Sequence, residues 1–333
     1  MLAGENRLMH CAIGLDLGGS SAKVALVAQT GDVLAEDRVA SPSAPDPEAV
    51  LSPITAAVDR LRLFAAERAL PVVALGCGFS GYLDRTGTTI AVNNTPALNG
   101  FALAPWLRAR FGLPVSIDND ACVAALAATQ LTDTADRHRI LFITVGSGIG
   151  VVLVVDGAIV RVMHGVTGDA SHIIVNHGSR ERCPLGCYGC LETVASARAI
   201  ARAGTRAARD GSSPDLACLL AVQGEITGVD VSSAGAAGDV VAQEILVHAG
   251  QWLGVGLASW ACTYGPDLVL LGGAVAQAGD DWLRSATTTM RQTGMPFCVN
   301  GLMVARTTLG NRAGVIGAAL MAMQEGGRQR AAT

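Results

Sequence analysis

A chain of 333 residues is long enough for two domains of ordinary size, each able to bury a core of its own. Half of it is apolar, only 4% is aromatic and 40 residues are glycine, so small side chains and close backbone approach dominate its packing. Of the 24 basic residues one alone is lysine, Lys23, which follows Ala22 and so removes a Walker A loop and nearly all Schiff-base chemistry; a net charge of −4 without a basic block removes an electrostatic footprint for nucleic acid or an anionic membrane.

The first dozen residues carry charges and lack the apolar core of a signal peptide, so a cytoplasmic protein is expected. Period-two runs at 12–17, 22–28 and 33–39 are separated by Gly18-Gly19-Ser20-Ser21 and Thr30-Gly31-Asp32, which predicts an antiparallel meander. A proline-rich stretch at 41–47 precedes helical spacing over 48–70 and a buried strand over 72–79. A short strand at 115–117 then leads through Asp118, Asn119 and Asp120, capping residues, into a small-residue helix at 121–128.

A second sheet is expected from 139 onward, because β-rich runs at 140–145, 151–155 and 158–162 alternate with glycine turns and echo the opening of the chain. Residues 191–264 are mostly helical in pattern, 268–271 is a short buried strand before Gly272-Gly273, and 313–324 is a terminal helix. The uncharged stretch 249–266 is diluted by Gln251, Ser259, Thr263 and glycines, so it reads as a buried helix and no membrane span is expected. Strands followed by helices, twice over, predict an α/β protein of two domains with a cleft between them.

Asp16-Leu17-Gly18-Gly19-Ser20-Ser21-Ala22-Lys23 puts a carboxylate at a strand end, glycines in the turn, hydroxyls next and the lone lysine on the following strand. Each type suits phosphate: backbone N–H groups approach the oxygens past glycine, a hydroxyl donates, a carboxylate organises Mg²⁺ through water and an ammonium neutralises charge. Lys23 either lies near such phosphates or packs beside the hairpin. Gly146-Ser147-Gly148-Ile149-Gly150 repeats the device; it departs from the dinucleotide fingerprint, since Val151 stands at the third glycine and a strand rather than a helix follows.

One histidine and three cysteines, His172, Cys183, Cys187 and Cys190, have the spacing of a closed structural zinc site, with His177 an alternative ligand. The six other cysteines are scattered and read as buried thiols.

Two phosphate-type hairpins with a late Gly272-Gly273 resemble the ASKHA superfamily of actin-like and sugar-kinase ATPases. The stretch Gly168-Asp169-Ala170-Ser171-His172, followed by Cys183-Pro184-Leu185-Gly186-Cys187-Tyr188-Gly189-Cys190-Leu191-Glu192, resembles the signature of the ROK (repressor, open reading frame, kinase) family, and the motif order matches over nearly the whole chain. Asn94 with Asn99-Gly100-Phe101, Asp118-Asn119-Asp120-Ala121 and the closing Gly314-Val315-Ile316-Gly317-Ala318 complete the likeness.

The resemblance implies a two-domain actin-like, ribonuclease H-like α/β fold, with residues 1–120 and 313–333 in one domain and 121–312 in the other. It implies phosphorylation of a hexose hydroxyl by ATP, with Asp120 as general base and Asn94, Asn119, Asp169, His172 and Glu192 on the sugar. Asp16, Gly18, Gly19, Ser20, Lys23, Gly146, Ser147, Gly148, Gly272 and Gly273 would serve ATP and Mg²⁺, and His172, Cys183, Cys187 and Cys190 a structural Zn²⁺. A homodimer follows from the same likeness. Asp169 replaces the family's usual glutamate, and Leu185 stands at the usual middle cysteine with Cys187 offset by two.

Glucose leads as substrate because it is common in the family, with N-acetylmannosamine, N-acetylglucosamine, fructose and allose as alternatives and polyphosphate as a possible donor. Family members that repress transcription carry a helix-turn-helix domain ahead of the first phosphate motif; 15 residues before Asp16 are too few for one, so DNA regulation is not expected. A third reading is a degenerate sugar-binding protein without turnover.

Overall fold

The computed structural model describes residues 10–18, 21–40, 46–84, 88–92, 95–132, 134, 136–161 and 169–331. Its strands are β1 (Cys11–Leu17), β2 (Ser21–Ala28), β3 (Val33–Ala40), β4 (Val72–Phe79), β5 (Gly81–Leu83), β6 (Thr89–Val92), β7 (Val115–Asn119), β8 (Arg139–Val145), β9 (Ile149–Val155), β10 (Ala158–Ile159), β11 (Leu268–Gly272) and β12 (Met303–Arg306). Its α-helices are α1 (Pro47–Glu67), α2 (Leu103–Phe111), α3 (Asp120–Leu131), α4 (Glu192–Ala195), α5 (Ala197–Asp210), α6 (Pro214–Gln223), α7 (Gly228–Ala237), α8 (Val240–Tyr264), α9 (Asp280–Thr293), α10 (Pro296–Val299) and α11 (Ala313–Ala331).

These elements form two compact units. One is drawn from Met1–Asp133, Arg161–Thr167 and Arg312–Thr333, the other from Thr134–Val160 and Gly168–Asn311. α3 therefore groups with the first unit, whereas the sequence reading begins the second domain at Ala121.

The first unit is built on a five-stranded sheet in the order β3-β2-β1-β4-β7, with β1 antiparallel to β2 and parallel to β4. Alternation along β1 and β4 decides how it is covered. Ile13, Leu15, Leu75, Cys77 and Phe79 point to one face, where they join Val50, Leu51, Ile54, Val58 and Leu61 of α1 and Leu103 and Leu107 of α2 in a single core. α1 starts where Asp46 accepts from the Ala49 N–H, with Pro47 in the first turn, where a missing N–H costs nothing.

The intervening residues on the opposite face are small, and α11 lies directly on them. A Cβ on Gly14 would stand 1.9 Å from the Val315 carbonyl oxygen, and one on Gly76 would stand 1.8 Å from that of Ala318. Gly317 makes the same approach from the helix side, since its Cβ would meet the Val123 carbonyl oxygen of α3 at 1.7 Å. The closing Gly-x-x-Gly-Ala motif is thus a packing device that seats α11 between the sheet and α3.

The second unit repeats the topology, with order β10-β9-β8-β11-β12 and β8 antiparallel to β9 but parallel to β11. Leu141, Ile143, Val145, Val151, Val269 and Leu271 pack against the helical layer, in which Leu253, Leu257 and Trp260 of α8 are buried. α8 is long and apolar enough by composition to cross a membrane, yet Gly250 and Gly254 press it against α9. Their Cβ atoms would each lie 2.4 Å from a carbonyl oxygen of α9, of Trp282 and of Ala286. α8 is the core helix of this unit.

Candidate active site

In the first unit the candidate side chains cluster at the C-terminal ends of β1 and β7 and the start of α3. Asp16 and Lys23 face one another across the β1–β2 pair, and Lys23 Nζ donates to Asp16 Oδ2 at 3.2 Å. Asp16 also explains Gly314, because a Cβ there would lie 2.8 Å from the Asp16 carboxylate. The start of α11 can approach this carboxylate only as glycine. Gly18 closes the turn with its N–H on the Ser21 carbonyl at 3.2 Å, while Gly19, Ser20 and Asn94 lie outside the described residues.

Asn119 caps α3, its Oδ1 accepting the Ala121 N–H at 3.0 Å, and its Nδ2 donates to the Gly81 carbonyl at 3.3 Å. Asp120 follows as the first residue of the helix, its Oδ1 accepting the same Ala121 N–H at 2.8 Å. Burial pushes the Asp120 carboxyl up to about 6, helped by the negative charge of Asp16 and opposed by the backbone N–H groups of the helix start. Asp118 does not cap the helix. It is buried and forms a two-pronged ion pair with Arg161, a partner that sequence spacing did not indicate. A carboxylate poised near 6 at a helix start, beside a second carboxylate, has the character of a general base.

In the second unit the Gly146-Ser147-Gly148 turn joins β8 to β9, with the Gly146 N–H on the Gly148 carbonyl at 2.9 Å. Among the described residues no protein group accepts from the Ser147 or Gly148 N–H. Gly273, at φ +86°, sits against the backbone of the same strand end, since a Cβ there would lie 2.4 Å from the Val145 carbonyl oxygen. Gly272 packs beside Phe142 and Thr307. The structure thus brings the second hairpin and the late Gly-Gly pair together, with backbone donors at the turn.

The ligating atoms of His172, Cys183, Cys187 and Cys190 all lie within 4.8 Å of one another. Cys183 Sγ is 3.1 Å from Cys187 Sγ, and His172 Nδ1 is 3.6 Å and 3.3 Å from those two sulfurs. Tetrahedral zinc with Zn–S bonds near 2.3 Å needs ligand separations of roughly 3.5 to 3.8 Å; the Cys183–Cys187 and Cys187–His172 pairs are a few tenths of an ångström shorter, and three thiols and an imidazole gathered within 4.8 Å are a donor set suited to the ion. Cys187 reaches the cluster from its offset position while Leu185 is exposed, so the change of spacing leaves four candidate ligands together. His177 is exposed and outside the cluster. Asp169 is exposed, its carbonyl accepting the His172 N–H at 2.9 Å.

Glu192, expected on the sugar from the family resemblance, accepts the Ile149 N–H through its Oε2 at 3.1 Å. No spacing in the sequence connects positions 149 and 192.

A glucokinase of Halalkalibacterium halodurans is 29% identical over 94% of this chain and 95% of its own length. A glucokinase of Streptomyces coelicolor is 30% identical over 95% and 98%. Among solved structures, a ROK family glucokinase from Streptomyces griseus, in complex with glucose and AMPPNP, superposes with a TM-score of 0.81 at 29% identity, covering 94% of this chain and 99% of that one. The ROK family profile matches residues 12–325, so the motif order, the paired hairpins and the profile agree that the chain belongs to the ROK family.

Proposed function

We propose that this chain is a sugar kinase that transfers the γ-phosphoryl group of ATP to a hexose hydroxyl, with glucose the leading acceptor. The observation that carries the reading is Asp120, a carboxylate held up to about 6 at the start of α3 beside Asp16. A sugar hydroxyl attacks only as a proton leaves it, and Asp120 takes that proton. The Asn119 amide and the zinc-loop residues Asp169, His172 and Glu192 orient the sugar, as does Asn94. Asp16 would help to hold the Mg²⁺ of MgATP, its carboxylate kept in place by Lys23.

Phosphate oxygens take the free N–H groups of Ser147 and Gly148, together with the first hairpin at Gly18, Gly19 and Ser20. Gly272 and Gly273 leave room for the adenosine. His172, Cys183, Cys187 and Cys190 would hold Zn²⁺, which supplies structural cross-linking to a loop with little regular structure of its own. The protein acts in the cytoplasm as a homodimer.

Coupled ADP release with a panel of hexoses, alongside metal analysis, tests the reading. Hexose-dependent ADP release greatest with glucose supports it. Release greatest with N-acetylmannosamine or fructose reassigns the substrate, and none from folded, metal-loaded protein leaves a sugar-binding protein without turnover.

A further inference from the structure

Two hydrogen bonds tie the second hairpin to the segment that directly follows the last cysteine. Glu192 Oε2 accepts the Ile149 N–H at 3.1 Å, and the Ala197 N–H donates to the Gly146 carbonyl at 2.8 Å. The approach is close enough to dictate sequence, for a Cβ on Gly148 would stand 2.6 Å from Glu192 Oε2. The segment is itself anchored. Leu191 is fully buried against α8 near Gly256, its N–H donates to the Ile173 carbonyl at 3.0 Å, and Cys190 pairs with Ile174 in a one-residue β-bridge. Ile173 follows His172 and Leu191 follows Cys190, so two of the four metal-ligand candidates flank this anchor.

From this arrangement we infer that the Cys₃His cluster supports the phosphate hairpin through Glu192. Glu192 is a positioning residue that fixes the Gly146–Gly150 turn so that the Ser147 and Gly148 N–H groups stay without a protein acceptor and open to a ligand. The inference rests on the kinase reading for the ligand of that turn and on the zinc reading for the ion in the cluster. It makes the cluster matter to the phosphate side as well as to the sugar.

Amide hydrogen exchange on the zinc-loaded protein, without nucleotide or sugar, reads the hairpin directly. Ile149 should be protected in the wild type, exchange at least tenfold faster in Glu192→Ala, and return near the wild-type rate in Glu192→Gln, whose amide oxygen still accepts. Chelated wild-type protein should match Glu192→Ala, and chelating that variant should add little. AMPPNP titration without sugar should follow the same order, a readout that a sugar-only role of Glu192 would leave unmoved. Unchanged Ile149 exchange in both Glu192→Ala and the chelated protein overturns the inference. If exchange shifts as expected but wild-type protein binds no AMPPNP, the support stands and the kinase reading falls.

Discussion

The two sheets share one strand order, yet their first hairpins are equipped differently. In the first unit the penultimate residue of the leading strand is Asp16, and the strand opposite supplies Lys23 as its partner. The matching position of the second unit is Thr144, opposite Gly150, and the carboxylate at that hairpin comes from Glu192, more than forty residues onward. One hairpin carries its charge; the other is a backbone cradle supported from outside. Under the proposed kinase reading, the same topology gives one unit the carboxylates for a proton and a metal ion and the other the N–H groups for an anion.

The contrast predicts where substitutions act. Gly76→Ala, which drives a methyl group into the Ala318 carbonyl, should cost about 3 kcal/mol or more in a denaturant melt, because neither the sheet nor α11 can yield cheaply. A loss under about 1 kcal/mol breaks the account of the small-residue face. Gly148→Ala should be milder for stability but should weaken AMPPNP binding roughly tenfold, about 1.4 kcal/mol, by pushing Glu192 off the turn. Unaltered nucleotide affinity would show that the turn is not a cradle.

The acid–base half predicts a pH dependence. Asp120 must be ionised to accept a proton, so kcat/KM should rise with pH through a limb near 6. Stability runs the other way. A carboxyl raised from 3.8 to about 6 favours the fold below its unfolded value, and that contribution is lost as pH climbs through 6. Asp120→Asn should therefore be more stable than wild type at pH 8, by up to about 3 kcal/mol, with the gap closing by pH 4. A constant gap would remove Asp120 from the titration. The smallest expected effect belongs to Lys23→Met: with Asp16 unpaired, its charge acts more strongly on Asp120, and the rising limb should move up by a few tenths of a pH unit.

Much of this organisation could be read from the chain. The meander strands, α1, β4, α8 and the paired hairpins follow from residue alternation and glycine placement, and the Cys₃His cluster forms from the residues its spacing named. α9 leaves no clear trace in the sequence, since Thr287, Thr288 and Thr289 lower helix propensity in its middle; in the helix Thr287 turns its hydroxyl back onto the Leu283 carbonyl. β12 is four residues long and β5 and β6 pair through a register shift, too little for a periodic signal. In the site, the Asp118–Arg161 pair and the Glu192–Ile149 bond join positions 43 residues apart, which only the fold brings together. The role of Gly314 as clearance for Asp16 was equally invisible, because a glycine motif alone does not say what presses against it.

The most direct test of the kinase account is Asp120→Asn, assayed for glucose-dependent ADP release and for glucose binding in the same preparation. Loss of turnover by about a thousandfold, with glucose affinity within about threefold of wild type, is the predicted result. Turnover comparable to wild type in the folded variant would contradict it.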